Sequence, residues 1–294
     1  MKRILTFMVL ICLVLSGCTH TQVPAQIAAT TLPLWEFTTR LCQGTGITVT
    51  RLITENVSCL HDYTLQVNQM RAIESAELVI MNGAGLEEFL DDALTGAAQV
   101  VDASAGLELI CPEEDPHEDH DHDHPGHHHE QDPHLWLSPL HAAQMASNIC
   151  NSLCDRYPAY QETFRNNLTG LLADLRFLQT YGETTLGNIS CRELVTFHDG
   201  FAYFAEAFGL TILEAVEEES GSEAPASELI RLIGIVQEHK LPAIFTETNG
   251  SSAAAQIIAA ETGASLYTLD MAMAADSYFD AMYKNIDTIK EALE

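Results

Sequence analysis

Residues 113–136 read EEDPHEDHDHDHPGHHHEQDPHLW, with seven histidines between His117 and His129 and an eighth at His134. Imidazole and carboxylate are ligands for zinc and other borderline divalent ions. A short tract rich in histidine reads as metal binding. No hydrophobic residue lies between Pro112 and Pro133, so the segment cannot bury enough surface to fold alone. A solvated acidic loop is the plainer reading, but it leaves the histidines unexplained. A terminal affinity tag does not fit, because the tract lies mid-chain between apolar segments.

Four coordinating side chains stand where ligands gather in open parallel sheets, beyond the carboxyl ends of strands. His61 lies in the loop after the second expected strand, and His134 precedes the helix that follows the fourth. His198 directly follows an apolar strand, and Asp270 directly follows the last one. Three imidazoles and one carboxylate form an N3O set, which zinc accepts tetrahedrally at about 2.0–2.2 Å. Taken singly, each has a plainer reading: a histidine at a strand end is commonly a hydrogen-bonded structural residue, and Asp270 can cap a turn. Their recurrence in both halves of the chain would put one ion between two lobes. Glu247, at another strand end, is the natural substitute for Asp270 or an orienting group for a ligand. Cys59 is the corresponding soft substitute for His61. His20, His141 and His239 are expected on solvent-facing or helix surfaces.

The elements that must position these residues alternate. In the first half, strands are expected at 26–31, 47–53, 78–81 and 99–101, with helices at 34–42, 65–75 and 86–94. Ser138 reads as an N-cap with Pro139 in the first helical position, opening a helix that runs to Arg156. Apolar residues at 160, 164, 168, 171, 172, 175 and 178 keep helical spacing over 22 residues, about 33 Å at 1.5 Å per residue. Lying between two α/β halves, this helix reads as a connecting strut. In the second half, strands are expected at 193–197, 211–216, 243–246 and 264–269, with helices at 201–208, 226–239, 252–262 and 277–293. Such alternation argues for an α/β fold with parallel sheets covered on both faces. The expected division is a signal peptide at 1–17, an N-terminal lobe at 18–156 that includes the acidic His-rich loop 113–131, a linking helix at 157–182, and a C-terminal lobe at 183–294.

The chain has 294 residues, 47% of them hydrophobic, enough for one large or two ordinary domains. Thirteen basic against forty-two acidic residues give a net charge of −29. Nucleic acid is excluded as a partner, since phosphate binding needs clustered Lys and Arg. Cations are the natural small partners of such a field. At the start, Lys2 and Arg3 precede an apolar run over residues 4–15, too short for a membrane span. The run ends in Leu15-Ser16-Gly17-Cys18, which is similar to a bacterial lipobox. That signal implies cleavage before Cys18 and a lipid on its sulfur, holding the protein at the outer face of the membrane without spanning it. Six cysteines remain (Cys42, Cys59, Cys111, Cys150, Cys154 and Cys191), and an exported protein can pair them in fifteen ways. Cys150 and Cys154, four apart on a helix, read as buried free thiols rather than a thiolate metal pair.

Several stretches together resemble the solute-binding lipoproteins of zinc and manganese ABC transporters. They are His61-Asp62-Tyr63, Asn82-Gly83-Ala84-Gly85-Leu86-Glu87, Asp132-Pro133-His134-Leu135-Trp136, Thr196-Phe197-His198-Asp199, Phe245-Thr246-Glu247 and Asp276-Ser277-Tyr278. The resemblance covers nearly all of the chain after the signal. It implies two α/β lobes joined by one long helix, metal in the cleft on His61, His134, His198 and Asp270, and an ABC permease as partner. A His-rich loop at this place resembles the zinc-importing members. Manganese members carry a carboxylate where this chain has His198, so the imidazole there favours zinc, with manganese the lesser candidate. One departure stands out: the family has a proline before the first ligand, and this chain has Leu60.

Two other functions compete. A zinc hydrolase would use the same ligands with Glu247 as general base, although no HExxH pattern occurs. A surface adhesin or metal-storage lipoprotein would need the anchor and the histidines but no permease. The anchor itself has a direct test: Cys18→Ser should abolish incorporation of labelled fatty acid, and unchanged labelling would refute the lipobox.

Overall fold

The computed structural model describes residues 26–55, 60, 63–111, 131–216, 225–248, 250, 252–273 and 275–294. The signal region with Cys18 and His20, Cys59, His61, and residues 112–130 of the His-rich tract lie outside them. The first half runs β1 (Ile27–Ala29), α1 (Leu32–Leu41), β2 (Val49–Arg51), α2 (Val67–Ser75), β3 (Leu78–Met81), α3 (Asp91–Leu94), β4 (Val100–Asp102) and α4 (Pro139–Arg156). The second half runs α5 (Gln161–Leu186), β5 (Glu193–Thr196), α6 (Ala202–Phe208), β6 (Thr211–Ala215), α7 (Ala226–His239), β7 (Ala243–Glu247), α8 (Ala253–Thr262), β8 (Ser265–Leu269) and α9 (Tyr278–Leu293). Two four-stranded sheets result, ordered β2-β1-β3-β4 and β6-β5-β7-β8, and every pairing in both is parallel. The expected α/β architecture of two sheets flanked by helices and joined by one long helix is therefore present.

Both sheets share one topology. The chain leaves the central strand in one direction and returns on the other side, between β1 and β3 in the first lobe and between β5 and β7 in the second. Such a reversal opens a crevice at the carboxyl ends of the two central strands, the place where ligands sit in sheets of this kind. Short, almost wholly apolar strands make this possible: β3 reads LVIM with three of its residues buried, and β7 is buried throughout. Strands covered on both faces have no polar alternation.

Local signals account for most element ends. Ser138 caps α4 by accepting from the His141 amide at 3.4 Å, with Pro139 in the first turn. One expectation fails at 86–94. Instead of one helix, a 3-10 turn at Glu88–Leu90 leads into the single helical turn of α3. The reason is Glu87: its side chain is drawn inward to the backbone amides of Asn82 and Gly83, which ties up the start of the segment. The cysteines Cys42, Cys111, Cys150, Cys154 and Cys191 are unpaired. Burial pushes the Cys42 and Cys150 thiols up to about 12, which disfavours thiolate and fits inert core packing. No helix among the described residues is long and apolar enough to cross a membrane.

The long helix α5 has 26 residues, about 39 Å at 1.5 Å per residue. Up to Asp174 it holds the N-terminal lobe: Asn167 donates to the carbonyls of Leu41 and Gln43 at 2.8 and 2.9 Å, and Asp174 pairs with Arg40. Its second half holds the C-terminal lobe: Gln179 donates to the Ala207 carbonyl at 3.0 Å and Tyr181 to Asp287 at 2.6 Å. One continuous apolar core includes Phe37, Trp136, Leu171, Phe204, Tyr278 and Ile289, so packing joins the lobes as well as covalent connection.

Two glycines on α5 should behave oppositely. A Cβ on Gly182 would lie 2.2 Å from the Phe208 ring, whereas one on Gly170 would meet nothing within 4 Å. Phe208 is buried and stacked edgewise on Phe204 at 4.7 Å, so it has little room to retreat. Gly170→Ala should stabilise by about 0.5–1 kcal/mol through helix propensity. Gly182→Ala should lose that gain to overpacking of about 1–3 kcal/mol. Urea denaturation midpoints that move in the same direction for both variants would contradict this packing.

Candidate metal centre

The centre is built where the two crevices face each other. His198 follows β5 and Glu247 ends β7, the two strands at the reversal point of the second sheet. His134 stands two residues before the buried Trp136, on the segment that leads into α4. The two imidazoles meet: Nε2 of His134 lies 3.5 Å from Nε2 of His198, with ring planes crossed at 82°.

Each imidazole is held from behind by a carboxylate. Asp132 Oδ1 lies 2.8 Å from His134 Nδ1 and also accepts the His134 backbone N–H at 2.8 Å. Glu247 Oε2 lies 3.2 Å from His198 Nδ1. A carboxylate at Nδ1 favours the tautomer protonated there, which turns a lone pair outward at Nε2. With both carboxylates ionised, two lone pairs face one another. Two Zn–N bonds of about 2.05 Å at the tetrahedral angle would set the nitrogens about 3.3 Å apart, close to the observed 3.5 Å. The pair fits one edge of a tetrahedral zinc site.

Asp270 is fixed at the end of β8. Asn285, buried on α9, accepts from its amide at 2.8 Å and donates to its carbonyl at 2.7 Å, while Asp270 Oδ1 accepts the Ala272 amide at 2.7 Å. The turn-capping role considered from sequence is therefore real. It occupies one oxygen, and the negative charge still reaches the site, where it raises the Glu247 carboxyl. Among the described residues no three His, Cys, Asp or Glu side chains close around a common point. The structure brings together His134 and His198, sets Asp270 within electrostatic reach, and does not describe His61.

Sequence reasoning missed the supports. Asn82 donates to the Pro133 carbonyl at 2.9 Å, one residue before His134. Asn82 is itself placed by Glu87, which accepts from Thr30 Oγ1 and the Asn82 amide at 2.7 Å each and from the Gly83 amide at 3.1 Å. Glu87 fills the crevice of the first sheet, between the ends of β1 and β3. Burial pushes its carboxyl up to about 7 despite those three donors. Gly83 has φ +84°, and a Cβ there would collide with Asp102 Oδ1 at 1.8 Å, so only glycine fits. Glu247, read from sequence as an orienting group and in the hydrolase alternative as a general base, lies with Oε2 3.2 Å from His198 Nδ1, where an orienting group would stand. His141 was expected at the surface, but it is half-buried with its ring 4.9 Å from Tyr203, and desolvation lowers its pKa. His239 is at the surface as expected, paired with Glu193 at 3.0 Å.

The chain is similar to known proteins over most of its length. The family model described as zinc-uptake complex component A, periplasmic, matches residues 27–292. The chain is 30% identical over 279 residues to the high-affinity zinc uptake system protein ZnuA of Bacillus subtilis, covering 91% of this chain and 87% of that protein. It is 27% identical to the zinc-binding lipoprotein AdcA of Streptococcus pneumoniae, covering all of this chain but only 62% of that longer protein. A crystal structure of ZnuA superposes with a TM-score of 0.78 at 27% identity, covering 92% of this chain and 100% of that one.

Burial, with the Asp270 charge added, pushes the Glu247 carboxyl from 4.5 up to about 8. Between those values the folded protein holds a proton that the unfolded chain has lost, so stability falls as pH rises. The contribution of Glu247 is complete below about pH 4.5 and lost by about pH 8, and Glu87 acts in the same direction up to about 7. Glu247→Gln should flatten part of this slope in metal-free protein, read from denaturation midpoints across that range. A slope identical to the unsubstituted protein would remove Glu247 as its source.

Proposed function

The chain belongs to the zinc-uptake complex component A family, and from that premise we propose that it captures zinc outside the cytoplasm and delivers it to the permease of an ABC importer. The observation that carries the reading is the facing pair of imidazole nitrogens, 3.5 Å apart and each backed by a carboxylate. Zinc binds to His134 and His198, with Asp270 and His61 completing an N3O set. Glu247 and Asp132 orient the rings without binding the ion. A set dominated by imidazole favours zinc over manganese, which prefers carboxylate and water oxygens. Four protein ligands close the site, as suits holding an ion rather than activating a water on it.

The remaining parts fall into place around that site. Residues 1–17 direct export, and Cys18 carries a lipid that keeps the protein at the membrane surface. The N-terminal lobe extends to 156, the linking segment 157–182 takes in most of α5 (Gln161–Leu186), and the C-terminal lobe covers 183–294. The His-rich loop 113–131 gathers zinc near the cleft and passes it on. The permease docks across both lobes, and a small displacement between them separates the ligands and frees the ion.

His198→Ala should weaken zinc binding by more than about 100-fold, since losing only an outer partner of a ligand costs about 10–100-fold. Removal of residues 116–131 should leave one tight site per chain. Affinity should fall as pH drops through about 6.5, where imidazoles take up protons. Chelator-competition titration checks all three. Loss of tight binding on loop removal, or equal affinity on both sides of that pH, would overturn the assignment of the ion to the cleft histidines.

A further inference from the structure

His134 belongs by sequence to the first half of the chain, yet the second half pins its peptide on both sides. On one side, the Tyr203 hydroxyl of α6 donates to the Asp132 carbonyl at 3.0 Å and accepts the Ile110 amide at 2.9 Å. The Asp132 amide in turn donates to the Ile110 carbonyl at 2.8 Å, closing the base of the segment between them. On the other side, the Trp136 indole N–H donates to the Met271 carbonyl at 2.7 Å, and the Tyr278 hydroxyl donates to the Trp136 carbonyl at 2.8 Å. Tyr203, Trp136 and Tyr278 are all at most 1% exposed.

These bonds bear on the ligand directly. Asp132 Oδ1 accepts both the backbone N–H and the ring Nδ1 of His134, so the place of the Asp132 peptide fixes the rotation of the imidazole. Met271 adjoins Asp270, and its methyl group shares the space beside Gly200 with the His198 ring: a Cβ on Gly200 would fall 2.5 Å from Met271 Cε and 2.7 Å from His198 Cδ2. The contacts at Trp136 and Tyr203 therefore tie His134 to the same lobe that carries His198 and Asp270. Burial pushes the Tyr203 phenol up to about 12, so it stays a hydrogen-bond donor throughout the working range.

We propose that Tyr203 is a positioning residue for the metal centre: from the C-terminal lobe it fixes the Asp132 peptide, and through Asp132 the imidazole of His134. The inference rests on the cleft-site reading above. It means that the His134 segment is held from both lobes, by Asn82 on one side and by Tyr203 on the other. It also links the base of the His-rich loop to a ligand by one hydroxyl, since Ile110 and Asp132 flank that loop.

The test uses the complete mature protein carrying Tyr203→Phe, which keeps the ring and its packing while removing the hydroxyl. Zinc affinity is measured by chelator competition, and Co2+ replaces zinc to report ligand geometry through its visible absorption. The expected result is zinc affinity about 10-fold weaker, in the range for loss of an outer support, with weaker Co2+ absorption as the site leaves tetrahedral geometry. Wild-type affinity with a wild-type Co2+ spectrum would overturn the proposal, whether or not the unfolding midpoint falls, because a merely structural hydroxyl moves only the midpoint. His198→Ala run alongside separates the two readings: if that variant keeps wild-type affinity, the cleft site itself is wrong.

Discussion

Two nitrogen lone pairs held face to face are the constraint from which the rest of this structure follows. His134 and His198 are both turned by carboxylates at Nδ1, so Nε2 of each points at the other across 3.5 Å. Without a cation between them, like dipoles are opposed in a site where His134 is nearly buried and water screens little. The surroundings over-determine the arrangement. Each ring is fixed by a carboxylate, and the Asp132 peptide, the Pro133 carbonyl and the Trp136 ring are each held by hydrogen bonds from elsewhere in the fold. A dication reverses the local sign: it satisfies both lone pairs and also favours the ionised form of Glu247.

The two sheets use the same topological reversal for different ends. In the second lobe the crevice between β5 and β7 presents His198 with Glu247 behind it. In the first lobe the equivalent crevice, between β1 and β3, is filled by Glu87, which ties together Thr30, Asn82 and Gly83. One crevice thus presents an imidazole, while the other is filled by a carboxylate whose partner Asn82 goes on to hold the Pro133 carbonyl beside His134. A ligand site between two similar lobes need not draw on them symmetrically.

Much of this was legible in the sequence where a local rule decides. The alternation of apolar strands with helices announced two parallel sheets, and the bounds of α7 came out at Ala226–His239 as read. The Ser138-Pro139 cap and the strand-end positions of His198 and Asp270 were equally local signals. What was not legible depends on groups far apart in the chain. Nothing near Tyr203 in sequence marks it as the partner of Asp132, 71 positions away. Nothing near Trp136 points to the Met271 carbonyl, 135 positions on. The 86–94 segment failed for the same reason: its helical pattern is real, but Glu87 turns inward to amides that only the folded lobe brings within reach. Only His141 misled by type, because a histidine on a helix reads as surface until Tyr203 covers it.

The way the lobes are joined limits how an ion can leave. A hinge that swings open would have to break the apolar core that runs from Phe37 through Trp136 and Leu171 to Ile289, and no small partner supplies that much free energy. The helix α5 resists the same motion, since its two halves are bonded to different lobes along about 39 Å. Glu36 of α1 adds a further tie by accepting the Tyr278 amide at 2.7 Å, and Arg51 adds another on the Met273 carbonyl. The core, the long helix and these ties therefore leave the two sheets little freedom to swing apart.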